Sequence, residues 1–228
     1  MKRIFVLWIV LLSTSCSSSK FFTSGVQSYE INEMIKIEPF SYISLIERGN
    51  RGSYDNSISQ YSETVINEAL KSLRKSLRLS SEEIYSIDDL ERSELEQEID
   101  FLMSLAERNK KKHNIEITPF IELLLDEYDQ RFGLIILHEG FTRVKGNYGR
   151  QVAKAIGLGL LTGVATGVSV YNSPQKASST LHVAIVDNKE KNIAFYNKSI
   201  LQNKEPTEIE NIKKQLIIVF EKYFGGKR

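Results

Sequence analysis

The spacing of apolar residues changes near Gly133, and this change constrains the fold more than any other feature of the chain. Before Gly133, apolar residues recur every three or four positions, which is typical of amphipathic helices with one buried face. After it, Leu134–Leu137 is a continuous apolar run, as expected for a strand that is buried on both faces. Two further strands, Thr180–Asp187 and Ile193–Tyr196, flank a polar turn and predict a hairpin. The predicted helices are 57–77, 93–111, 118–132 and 206–224.

A short alternating strand, Met34–Glu38, precedes these elements, and a loop is predicted for 47–56 because glycine and asparagine cluster there. The order of strand, three helices, strand, glycine-rich insert, hairpin and helix indicates an α+β fold with α/β-type layers. The sheet is expected to be mixed and largely antiparallel, packed by the amphipathic helices, with the insert between two strands. Whether the helices share one face of the sheet or divide between both faces stays open at this point.

The N-terminal residues have the order of a secretory signal peptide. Lys2 and Arg3 precede the apolar run Ile4–Leu12, which is followed by the small residues Ser13–Ser15 and by Cys16, the single cysteine of the chain. The nine residues of the run are too few for a membrane-spanning helix, which needs roughly 20, but they suit a signal core of about 7–15. The sequence therefore predicts cleavage before Cys16.

The stretch Leu12–Cys16 resembles the lipobox of bacterial lipoprotein precursors, which ends in small residues and a cysteine. The resemblance implies a diacylglyceryl group on the sulfur of Cys16, cleavage before it, and a further acyl chain such as palmitate on its amine. Two lipid chains already hold a protein stably on a membrane. Ser17 is not the aspartate that often retains related lipoproteins at the inner membrane, so the resemblance suggests the outer membrane, with the domain facing the periplasm. An ordinary secretory signal, with Cys16 incidental, is the alternative.

These patterns divide the chain into a signal peptide at 1–15, a lipidated cysteine with a flexible tether at 16–32, and a single globular domain at 33–228. With 228 residues, 41% of them apolar, the chain can bury a sizeable core. Two of its 30 basic residues leave with the signal and none of its 29 acidic residues does, so the formal charge falls from +1 to −1. Nucleic-acid-binding domains are strongly basic, so no nucleic-acid partner is predicted.

A glycine-rich insert at 149–176 interrupts the domain, and its central part, 155–175, carries no charged residue. Gly159, Gly163 and Gly167 are spaced four apart, which on a helix forms a smooth groove that lets another helix approach closely. This spacing allows an oligomer contact or a membrane contact. The sequence favours instead a loop that joins two strands, with glycine at tight turns, because each interior glycine disfavours a helix by about 1 kcal/mol.

The order of elements around the insert resembles that of envelope lipoproteins of the curli-secretion (CsgG-like) type. It consists of a strand, the insert, a strand that ends in Asp187, the strand Ile193–Tyr196 and a final helix, within residues 33–224. The resemblance implies a small α/β periplasmic domain. In the pore-forming members of that group, an insert becomes membrane hairpins in a ring.

The residues with catalytic potential form no convergent set in the sequence. His113 follows three lysines, and His138 and His182 lie in predicted strands that could be neighbours. Glu139 is adjacent to His138 but points to the opposite face of its strand, so the three do not predict a zinc site. No catalytic residue, cofactor or metal ligand is predicted. The predicted function is a non-enzymatic binding or assembly component of the envelope, with an envelope hydrolase or an oligomeric secretion- or pore-associated lipoprotein as alternatives.

Overall fold

The computed structural model describes residues 21–86, 88–109, 114–153 and 174–225. Within these ranges, a mixed sheet of eight strands carries helices on both faces. The strands are β1 (Phe22–Thr23), β2 (Met34–Ile37), β3 (Phe40–Arg48), β4 (Arg51–Tyr54), β5 (Leu79–Ile84), β6 (Phe132–Arg143), β7 (Ser178–Asp187) and β8 (Asn192–Gln202). The helices are α1 (Asn56–Leu73), α2 (Asp89–Arg108), α3 (Pro119–Glu127) and α4 (Ile209–Phe224), and residues 147–153 are also helical. The predicted α+β class, with a mixed sheet packed by amphipathic helices, is confirmed.

Strand β6 organises the sheet. It pairs antiparallel with β7 over ten rungs, from Phe132–Asp187 to Phe141–Ser178. On its other side, β6 runs parallel to β2 near its start and parallel to β3 along its second half. The strand order is β1-β8-β7-β6-β2-β5, and β4 pairs with β3. The predicted hairpin is therefore present as β7–β8, and the insert lies between β6 and β7.

Alternate side chains of β6 enter two separate hydrophobic cores. Leu134 and Ile136 lie in the core formed with α1 and α4, whereas Ile135 and Leu137 lie in the core formed with α2 and α3. All four side chains are at most 3% exposed, so the run is buried on both faces, as predicted. The first and last of the four helices, α1 and α4, therefore cover one face of the sheet, and the two middle helices, α2 and α3, cover the other.

Helix α2 begins after an aspartate N-cap, Asp88, and not at residue 93 as the sequence predicts. The carboxylate of Asp88 accepts hydrogen bonds at 2.9 and 3.0 Å from two backbone N–H groups of the first turn. The helix therefore starts several residues before the predicted position. Helix α3 begins at Pro119 after Thr118, as the sequence predicts.

The folded domain includes residues that were assigned to the flexible tether. Phe22 of β1 pairs with Tyr196 of β8 and is 2% exposed. Val26 and Ile31 are also buried and join the core under α1 and α4. Residues 21–32 are therefore part of the domain, because apolar side chains in this segment fill the edge of the sheet.

A hairpin occupies the position of the loop predicted for 47–56. Strands β3 and β4 pair across a turn at Gly49, whose φ of 64° favours glycine. All four residues of β4 are exposed, so no apolar alternation identified it as a strand. Strand β5 was missed for a similar reason, because exposed polar residues, Glu82 among them, interrupt its apolar pattern.

Candidate functional site

The β6–β7 register places the two strand histidines on opposite faces of the sheet. Leu137 pairs with His182, and His138 pairs with Leu181 on the next rung. His138 therefore faces α1 and α4, whereas His182 and Glu139 face α2. The three residues do not converge on one point, as strand alternation predicts.

His138 lies in a sealed chain of neutral hydrogen bonds. Its Nδ1 is 2.7 Å from the Oγ of Ser62 on α1, and its Nε2 is 2.8 Å from the Oγ of Ser179 on β7. The Ser179 hydroxyl donates to the Oε1 of Gln215 on α4 at 2.7 Å. Because that hydroxyl hydrogen is used by Gln215, Ser179 accepts from His138, so the ring carries its proton on Nε2. Ser62 then donates to Nδ1 and accepts from the hydroxyl of Ser41 at 3.1 Å.

The orientation of the Gln215 amide fixes the direction of this chain. Its Nε2 donates to the backbone carbonyls of Ser179 at 3.0 Å and Ser199 at 2.9 Å, so its Oε1 faces the Ser179 hydroxyl. Burial lowers the pKa of His138 to about 3, with a further lowering from His182 and a small opposing effect of Glu139. The ring is neutral throughout the physiological range.

The serine and histidine of this chain do not form a catalytic pair. Ser62, His138 and Ser179 are each 0% exposed, and a nucleophile must reach its substrate. The partner beyond Ser179 is an amide and not the carboxylate that orients a catalytic histidine. The chain is a structural feature that joins the sheet to both helices of this face.

His182 lies in a charged cluster that is partly open to solvent. Its Nδ1 is 2.8 Å from the hydroxyl of Tyr196 and 3.6 Å from the carboxylate of Glu107, and its Nε2 is 3.3 Å from Glu139. Lys198 forms an ion pair with Glu107. The hydrogen bond with His182 lowers the pKa of Glu139, although burial opposes this. A cavity of about 210 Å³ opens beside the cluster.

A second polar region, which we name the α1 groove, runs along the outer side of α1. Its first chamber has a volume of about 380 Å³ and is centred on Lys36, which is 3% exposed. The Lys36 ammonium donates to Asn67 Oδ1 at 2.8 Å and to the hydroxyl of Tyr85 at 2.7 Å, and it pairs with Glu83 at 2.9 Å. Burial lowers the pKa of Lys36, and the hydrogen bond with Glu83 opposes this.

The second chamber of the α1 groove has a volume of about 340 Å³ and is centred on Arg92. The guanidinium binds Glu38 with one nitrogen and Glu63 with another, the latter at 2.8 Å. It also lies over the ring of Phe40, 4.8 Å from the centroid. The Glu63 carboxylate accepts the backbone N–H of Ser41 at 3.1 Å. Both chambers share two lining residues of α1, Thr64 and Asn67.

The position of the α1 groove follows from the topology. The parallel strands β2 and β5 end at Ile37 and Ile84, and the residues that follow them, Glu38 and Tyr85, line the groove. Ligands of open α/β sheets bind outside the carboxyl ends of such strands. The sequence does not predict the groove, because in the alternating strand Met34–Glu38 a lysine at position 36 is expected to face solvent. One signal could have found it. Glu38 ends a predicted strand and Arg92 directly precedes a predicted helix, so two opposite charges lie at the ends of predicted elements.

The residues predicted to carry function lie outside the described ranges. Cys16 and the signal peptide precede residue 21, and Gly159, Gly163 and Gly167 lie between residues 153 and 174. Among the described residues, no helix has the length and apolarity that are needed to cross a membrane. Over the same ranges, no group of three or more histidine, cysteine, aspartate or glutamate side chains is arranged to hold a metal ion.

Comparison with known proteins gives no matching family model and no matching curated relative. Among solved structures, a PelC variant dodecamer from Paraburkholderia phytofirmans is 7% identical, with 82% of this chain and 87% of that chain covered and a TM-score of 0.35. The LpoB C-terminal domain from Salmonella enterica is 9% identical, with 79% and 87% covered and a TM-score of 0.27. Similarity at this level does not bear on function.

Proposed function

We propose that this protein is a lipid-anchored lipoprotein of the cell envelope that acts as a non-enzymatic binding or assembly component at the outer membrane, facing the periplasm. The signal-like order of residues 1–15 and the single cysteine at Cys16 support the anchor. Phe21, at the start of the folded domain, is five residues beyond Cys16, and an extended chain of that length spans at most roughly 18 Å. The lipid would therefore hold the domain close to the bilayer surface.

The paired charges of the α1 groove carry the proposal of a binding role. Lys36 has three acceptors for its three hydrogens, and Arg92 is held between two carboxylates. Groups fixed in this way are poor general bases or nucleophiles, which need a free lone pair, but they are preorganised to hold a ligand. Because the charges compensate one another locally, the groove suits a hydrogen-bonding ligand or peptide segment without a large net charge.

Lipidation tests the anchor directly. Radiolabelled palmitate should be incorporated into the wild-type protein expressed in a Gram-negative host and should be absent from Cys16→Ala. Ser18→Ala is the matched control, because it lies in the same segment and has no role in the proposed modification. Equal labelling of wild type and Cys16→Ala would show that Cys16 is not the modified residue.

Blocking the α1 groove tests the binding role. Thr64 is exposed and lines both chambers without contributing to their ion pairs, so Thr64→Trp should fill the groove and leave its charges in place. Tyr61→Trp is the matched control on the same helix, because Tyr61 is 59% exposed and lies outside both chambers. We expect envelope proteins that crosslink to wild type and to Tyr61→Trp to be lost from Thr64→Trp. Identical crosslinking of all three proteins would rule out this groove as the binding surface.

The glycine spacing of the insert supports a second part of the proposal, which is contact with another copy of the chain or with the membrane through Gly159, Gly163 and Gly167. Detergent-solubilised wild-type protein should have the mass of an oligomer or bind vesicles without its lipid, and replacement of the three glycines by leucine should abolish this. Val164→Leu is the matched control within the insert. A wild-type protein that is monomeric and remains off vesicles once its lipid is removed would exclude both contacts.

A further inference from the structure

The hydrogen-bond chain around His138 joins every layer on one side of the sheet. It passes from Ser41 of β3 through Ser62 of α1 to His138 of β6, and onward through Ser179 of β7 to Gln215 of α4. These five residues are at most 2% exposed. The two helices of this face are therefore tied to the sheet by one continuous set of bonds that depends on a neutral imidazole ring.

If His138 were protonated, no acidic group of the hydrogen-bond chain would compensate the positive charge of its ring. The ring touches two hydroxyl groups, and the next group along is an amide. Charged side chains on the surrounding elements have other partners, reach the surface or lie across the sheet. They are Glu63 of α1, Lys213 and Lys214 of α4, Glu139 of β6, His182 of β7 and Lys198 of β8. A buried cation without a counterion is costly, so protonation favours any state in which the ring reaches water.

We propose that the His138 chain is an acid-sensitive latch, so that mild acid selectively promotes opening of α1 and α4 from the sheet while α2 and α3 remain packed on the other face. The selectivity follows from the topology. His138 contacts only groups on the α1 and α4 side, whereas the α2 side is held by the separate core that contains Leu95 and Ile121.

The expected size of the effect follows from proton linkage. The folded protein does not protonate His138 until the pH falls to about 3, whereas an exposed histidine titrates near 6.5. The open state therefore gains a proton that the closed state excludes, and through His138 alone lowering the pH from 7 to 5 should raise the population of the open state roughly 25-fold. Glu63 of α1 acts in the opposite direction, because burial raises the pKa of its carboxyl to about 7 and the closed state then takes up a proton over the same range. Because α1 also forms a wall of the α1 groove, opening would disrupt that groove. This last consequence rests on the proposed binding role, but the latch itself does not.

Amide hydrogen exchange on the full chain in detergent tests the latch. Between pH 7 and 5, protection factors of buried amides of α1 and α4, corrected for the intrinsic pH dependence of exchange, should fall roughly 25-fold more in wild type than in His138→Gln. Buried amides of α2 should keep their protection over the same range. An equal loss on both faces would show global unfolding and overturn the latch. The same change of protection in α1 and α4 in wild type and in His138→Gln would show that His138 does not control their opening.

Two histidine variants separate this effect from other titrating groups. His138→Gln keeps a neutral side chain that can donate and accept, and it should remove the acid-induced loss of protection that His138 contributes in α1 and α4, leaving the opposite dependence due to Glu63. His182→Gln, on the opposite face, should leave that acid-induced loss intact. If His138→Gln fails to fold, Glu63→Gln removes the opposing carboxyl from α1, and protection of α1 and α4 in this variant should still fall roughly 25-fold between pH 7 and 5. No fall in Glu63→Gln, or loss of the fall in a variant that also carries His182→Gln, would overturn the latch.

Discussion

The two faces of the β6–β7 ladder place a histidine side chain in contrasting environments. His138 faces α1 and α4, is fully buried, and bonds only to the neutral groups of Ser62 and Ser179. His182 lies one rung away, faces α2, and is flanked by the carboxylates of Glu107 and Glu139. The comparison teaches that the face of a strand, more than the residue itself, decides whether a histidine serves packing or forms part of a solvent-accessible charged cluster.

This difference has an energetic consequence. Buried neutral hydrogen bonds contribute modestly when intact, but the loss of one partner leaves a polar group without water to replace it. Charges near the surface are screened by water and ions, and their partners can be solvated when one is removed. The hydrogen-bond chain around His138 should therefore respond strongly to mutation and acid, and the charged cluster around His182 should respond weakly to mutation but measurably to salt.

The largest expected effect is the contrast between His138→Ala and His182→Ala. Removal of the His138 ring leaves a closed cavity and two unpaired buried hydroxyls, so the free energy of unfolding should fall by about 3–4 kcal/mol. The His182 ring adjoins an open cavity, and Tyr196 keeps its bond to Glu107, so its loss should cost about 1 kcal/mol. Urea unfolding at pH 7 measures both. An equal decrease in the free energy of unfolding in the two variants would contradict the inferred difference between the two histidines.

Acid stability comes next in size. The pKa of His138 is lowered to about 3 in the folded protein, whereas an exposed histidine titrates near 6.5. The unfolded state therefore binds more protons between pH 6.5 and 3, so the free energy of unfolding decreases as the pH is lowered through this window. Between pH 7 and 4 this residue should account for about 3 kcal/mol of lost stability. Carboxylates that titrate in the same window are common to wild type and His138→Gln, so the difference between their unfolding curves isolates the histidine. Parallel curves would contradict its role.

A smaller effect is expected from Gln215, which closes the hydrogen-bond chain at α4. Gln215→Leu keeps the approximate volume but leaves the carbonyls of Ser179 and Ser199 without their donor, so stability should fall by about 2 kcal/mol. Gln97→Leu on α2 is the matched substitution at an exposed position, and it should change stability by no more than about 0.5 kcal/mol. Thermal unfolding of the two variants would distinguish a buried amide from a surface one, and similar melting temperatures would contradict the structure.

Sequence reasoning recovered the parts of the fold that follow from periodicity. The continuous run Leu134–Leu137 predicted a strand buried on both faces, and Thr118 followed by Pro119 predicted the start of α3. Strands β4 and β5 could not be predicted in this way, because their exposed polar residues carry no alternating pattern. Their pairing is set by partners that are distant in sequence, and local propensity does not encode those partners.

The site was harder to predict because its members are spread along the chain. His138 is 76 positions from Ser62 and 41 from Ser179, and no spacing rule links them. One signal was available: Gln215 occupies a position on the apolar face of α4 beside Ile212 and Leu216. A polar residue at such a position is buried and needs a partner, which local sequence does not name.

The smallest expected effect lies on the α2 face and sharpens the contrast from the opposite side. Lys198 pairs with Glu107 where both side chains are partly exposed, so Lys198→Met should cost less than about 1 kcal/mol at low salt. In 1 M salt the Debye length falls to about 3 Å, so most of that cost should disappear. The cost of Gln215→Leu should stay the same in both conditions, because no charge is involved in its bonds. Urea unfolding at low salt and in 1 M salt measures the loss of stability of each of the two variants under both conditions. If salt instead changed the cost of Gln215→Leu and left that of Lys198→Met unchanged, the contrast between the neutral hydrogen-bond chain of His138 and the charged cluster of His182 would be wrong, since screening acts only where ions and water can reach.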